Sequence, residues 1–71
     1  MDRTELLAEI RTYAGKNYNK GGWDVLVECW SDAEILEEIG KANTLRGAIW
    51  KLNKTLNFIA DYRAEMMATA F

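Results

Sequence analysis

The chain has 71 residues, a formal net charge of −2, 49% hydrophobic residues, no His, no Pro and one Cys. That length holds one domain, here residues 1–71, and leaves no room for a dinucleotide-binding fold, a barrel or a two-domain enzyme. Without His and with a single Cys, the usual zinc sites, His-based acid–base catalysis and an internal disulfide are excluded, and the hydrophobic share excludes a disordered acidic tail.

Met1 to Leu7 carries Asp2, Arg3 and Glu5, so it does not read as a signal peptide, and no apolar run reaches membrane-spanning length. With the lone Cys, this points to a cytoplasmic protein. Asp2 followed by Glu5 reads as a capping box with a carboxylate in place of the usual hydroxyl. Behind it Leu6, Leu7, Ile10, Tyr13 and Ala14 recur at helical spacing, while Glu5, Glu9, Arg11 and Thr12 take the other face. Gly15 is placed to end this helix in a left-handed turn.

Residues 15–22, Gly-Lys-Asn-Tyr-Asn-Lys-Gly-Gly, form the one loop-like stretch. Its glycines and lysines do not follow the P-loop pattern, so it reads as a connector. Trp23 to Trp30 has two readings. Its β-formers suit a strand that pairs only with a second copy, whereas Trp23, Leu26, Val27 and Trp30 follow the i, i+3, i+4, i+7 pattern of a helix, the reading favoured here. At about 100° per residue, Ile35, Leu36 and Ile39 fall opposite that stripe. Ser31 and Glu34 form a capping box where the phase flips, so the sequence predicts a break at Ser31 and a third helix ending at Gly40.

Asn43 or Thr44 caps the last element, which runs to about Thr69. Leu45, Ile49, Leu52, Leu56 and Ile59 step as a coiled-coil seam, Met66 and Met67 continue it loosely, and Arg63 interrupts it. Gly47 inside the run marks close packing against another helix. Such a helix is roughly 35–40 Å long, more than a small bundle needs to cover its core. The fold expected is all-α, three short helices packed on one long C-terminal helix, with a homodimer formed through that helix.

Charge is segregated. Asp24, Glu28, Asp32, Glu34, Glu37 and Glu38 occupy one stretch without a base, and Lys41, Arg46, Lys51 and Lys54 the next without an acid. Either the two segments neutralise one another side by side, or one faces a partner of opposite charge. Trp50 and Phe58 lie off the Leu45–Ile59 stripe. Either the first helix covers them, or they form an aromatic docking patch rimmed by charge. Trp23 and Trp30 read as core, and Cys29, with no His to activate it, as a partly buried inert thiol.

The stretch Lys16-Asn-Tyr-Asn-Lys-Gly-Gly-Trp-Asp-Val-Leu-Val-Glu-Cys-Trp30 resembles small uncharacterised proteins encoded by phages and prophages. The resemblance implies an accessory factor that binds a host or phage protein, and it assigns no active residue. The function expected is therefore protein binding without catalysis, cofactor or metal, through Glu34, Glu37, Glu38 and the Trp50/Phe58 face. The alternative is a helix-turn-helix-like DNA binder over residues 32–57, with Lys41, Arg46, Lys51 and Lys54 as its contacts. Lys41 and Arg46 at positions that the motif normally fills with apolar residues, and an acidic first helix, count against it.

Overall fold

The computed structural model describes residues 2–69 and contains four helices: α1 (Arg3–Lys16), α2 (Trp23–Cys29), α3 (Asp32–Ile39) and α4 (Leu45–Thr69). There is no strand among the described residues. The three short helices pack on the long one, as the sequence patterning predicts. The core is Leu6, Ile10 and Ala14 of α1, Trp23 and Leu26 of α2, Ile35 and Ile39 of α3, and Ala48, Leu52 and Leu56 of α4, all buried. Tyr13 packs edge-on against Trp23, with ring centroids 5.1 Å apart.

The start of α1 is capped by Asp2, whose side chain accepts the backbone N–H of Thr4 at 3.1 Å rather than that of Glu5. Its end differs from expectation. Gly15 stays inside the helix, and the backbone N–H of Asn17 bonds the carbonyls of Tyr13 and Ala14 while its side-chain amide donates to Tyr13. Those bonds satisfy the last carbonyls, so no left-handed residue is needed there. Gly22 does need its glycine. Its φ is +83°, and a Cβ on it would stand 2.5 Å from the Leu56 carbonyl oxygen. The loop backbone therefore lies directly on α4 as it turns into α2.

The break at Ser31 is present. Trp30 and Ser31 are extended, with ψ of 127° and 164°, and Ser31 and Glu34 form the full reciprocal capping box. Because α2 ends at Cys29, Trp30 leaves the helix and is only partly buried, and Val27 is exposed. The four-residue stripe from Trp23 to Trp30 thus supplies two core residues rather than four. Arg11 is not on a solvated face: it donates to the Trp30 carbonyl at 3.1 Å and, through Nε, to Asp32 at 2.9 Å. Arg3 likewise donates to the carbonyls of Ala42 and Leu36. Two arginines of α1 thereby tie down both ends of α3.

Thr44 caps α4 by accepting the Gly47 N–H at 3.1 Å. The tight neighbours of Gly47 are this cap and Ala42 of the connector, not another helix as the sequence suggested. Along the predicted seam Leu52 and Leu56 are buried, Leu45, Ile49 and Ile59 partly so, and Ala48 joins them. That seam is filled by the chain's own α1, α2 and α3. The molecule measures 47 × 20 × 19 Å, with α4 setting the long dimension.

Candidate functional site

From Asp61 to Ala68 every residue of α4 is exposed, and none of them joins the buried core. The bare surface also runs back along the side of α4 opposite its buried stripe. Trp50 is 62% exposed, Phe58 71% and Tyr62 57%. Helical spacing puts Trp50, Lys54, Phe58 and Tyr62 four residues apart, in one continuous row. The first helix does not cover Trp50 and Phe58; of the two readings of these residues, the solvent-facing patch is the one present. Tyr62 belongs to it and was missed in the sequence, although its spacing from Phe58 is the signal that finds it.

Charge along this row changes sign. At the N-terminal end Arg46 and Lys54 flank Trp50, and the Lys54 ammonium stands 4.5 Å from the Trp50 ring centroid, a cation–π contact. At the other end Phe58, Asp61, Tyr62 and Glu65 line a shallow hollow of about 310 Å³. The row thus begins basic and ends acidic, with aromatic rings along its length.

The acidic residues singled out from the sequence sit on the solvent side of α3. Glu34, Glu37 and Glu38, with Trp30, line a depression of about 230 Å³. Two of the three have local work. Glu34 accepts the Ser31 backbone N–H at 2.9 Å, and that bond, with the one from the Ser31 hydroxyl, holds its carboxyl below the ordinary carboxylate range. Glu38 accepts the Thr55 hydroxyl and so links α3 to α4. Across the loop, Tyr18 donates its hydroxyl to Glu28, and the carboxylate raises the phenol's pKa.

The basic segment does not form one face. Lys41 is exposed in the connector, and Arg46 and Lys54 flank Trp50. Lys51 is half-buried, its Nζ lying 3.5 Å from where a Cβ on Gly40 would be, against the C-terminal end of α3. Nor is the acidic segment neutralised by these four. The ion pairs described for its members run from Asp32 to Arg11 and from Asp24 to Arg63, both outside the basic segment. The second pair sits beside a cleft of about 380 Å³ between the Gly21–Gly22 loop and the end of α4, where Tyr18 and Met67 also contribute. Cys29 is exposed rather than partly buried.

Among the described residues no group of three or more His, Cys, Asp or Glu side chains is placed to hold a metal ion, and no helix is long and apolar enough to cross a membrane. No buried side-chain nitrogen or oxygen among them lacks a hydrogen-bond partner. What the surface offers is an aromatic row of graded charge on α4 and an acidic depression on α3. No protein-family model matches this sequence, and neither the curated proteins nor the solved structures contain a match to it.

Proposed function

We propose that this chain is a small protein-binding module, not an enzyme, that docks other polypeptides on the aromatic row of α4 and attracts basic groups to the acidic depression of α3. One observation carries the reading: Trp50 and Phe58 are left 62% and 71% in water on a helix whose opposite side buries Ala48, Leu52 and Leu56. Exposing two large rings costs solubility and contributes nothing to the core, and rings of this kind rimmed by charge are the anchors of protein interfaces. The depression adds three carboxylates beside the Trp30 ring, a setting that suits a lysine or arginine side chain. Its place would be that of a phage or prophage accessory factor in the cytoplasm, in line with the resemblance of residues 16–30.

The test is affinity capture in the native host with tagged wild type and a tagged Trp50→Ser/Phe58→Ser variant. Loss of specific polypeptides, an untagged copy of the chain included, is expected together with unchanged helicity and a melting temperature close to that of wild type. A variant that captures the same set, or that melts far earlier because the rings were core, overturns the proposal.

A further inference from the structure

We infer that the polypeptide docked on the aromatic row is a second copy of this chain, with the two α4 helices running antiparallel about a twofold axis beside Phe58. The inference rests on the reading of that row as a docking surface, and its own support is the order of charge along it.

The row is complementary to itself only when reversed. Lys54 and Asp61, seven residues apart and so on one face of α4, are equidistant from a point between Asn57 and Phe58. A second α4 laid antiparallel through that point sets each Lys54 against the partner's Asp61. The two Phe58 rings then meet on the axis, each beside the hollow that Phe58, Asp61, Tyr62 and Glu65 form. All of these residues are exposed. A parallel arrangement sets Lys54 against Lys54 and Asp61 against Asp61, and like charges face to face are disfavoured. A self-complementary patch of this kind is what an isologous twofold contact requires.

The area fits as well. At about 150–250 Å² per aromatic side chain, the exposures of Trp50, Phe58 and Tyr62 leave on the order of 400 Å² of ring surface in water on each copy. With two copies the rings contribute about 800 Å², the size of a weak contact in exchange with monomer. The coiled-coil seam of α4 cannot serve instead, because Leu52 and Leu56 are fully buried within one chain.

Charge exchange tests the arrangement. Lys54→Glu and Asp61→Lys are both exposed changes, and circular dichroism reports whether each variant keeps the fold. Sedimentation equilibrium is expected to show wild type dimerising and each single variant weakened by about tenfold or more, since each places two like-charged pairs across the axis. An equimolar mixture of the two variants, in which both pairs are again opposite, is expected to recover the dimer, as is the double variant alone. Wild type that stays monomeric, single variants that dimerise like wild type, or a mixture that stays monomeric overturns the second copy as occupant. If wild type is monomeric while the Trp50→Ser/Phe58→Ser variant still loses an unrelated polypeptide in capture, the docking surface stands and only its occupant is wrong.

Discussion

The two sides of α4 carry similar side chains and meet different fates. On one side Ala48, Leu52 and Leu56 are fully buried beneath α1, α2 and α3, while on the other Trp50 and Phe58 are larger and still lie mostly in water. Side-chain hydrophobicity does not separate them. Position does: three helices of 14, 7 and 8 residues bury one side of the 25-residue α4 only as far as Ile59, and leave the other side in water. A large apolar side chain in so small a protein is therefore core only where the short helices can reach it.

That contrast gives measurable consequences, the largest on the packed side. Leu52→Ala is expected to destabilise the chain by about 2–5 kcal/mol in urea unfolding, the range for a fully buried leucine, where the Trp50→Ser/Phe58→Ser variant should change little. A similar loss in the double variant would erase the distinction between the two sides. Smaller is the effect of loosening the break that lets α2 and α3 both lie on the packed side. Ser31→Ala removes the hydroxyl that caps α3 and should cost about 1 kcal/mol. The acidic arm of that box carries a pH signature. Because the Glu34 carboxyl titrates lower when folded than when unfolded, its contribution is present above the ordinary carboxylate range and disappears as pH falls through its folded value. Glu34→Gln, which keeps the acceptor but does not titrate, should flatten that part of the stability profile.

Smallest, and of opposite sign, is Gly15→Ala. Gly15 is helical, and a Cβ there meets nothing within 4 Å, so the substitution should raise stability by about 0.5–1 kcal/mol without touching either side of α4. Destabilisation would mean that α1 ends before Gly15.

Local chemistry carried most of the architecture. The phase reversal between Leu26 and Ile35, the Ser31–Glu34 box and the long Leu45–Ile59 seam are short-range patterns, and each appears in the fold. What local patterns could not supply was long-range pairing. Arg11 looks solvated until Trp30 and Asp32 arrive from 19 and 21 residues away. Helical spacing alone left Val27 and Trp30 on the buried stripe, because it cannot say where α2 stops. For the candidate site, the sequence placed Trp50 and Phe58 off the seam but left open whether α1 covers them, since that depends on how far a 14-residue helix extends along a 25-residue one.

The three tryptophans end up in three surroundings: Trp23 is 3% exposed against Tyr13, Trp30 is partly covered at the α2–α3 break, and Trp50 is 62% exposed beside the Lys54 ammonium. The chain thus contains its own set of optical reporters. Emission from Trp23 is expected at shorter wavelength and shielded from iodide, whereas Trp50 emits as an indole in water and is open to quenching. A ligand seated on α4 would silence the second signal and leave the first unchanged, which separates occupancy from unfolding in a single cuvette.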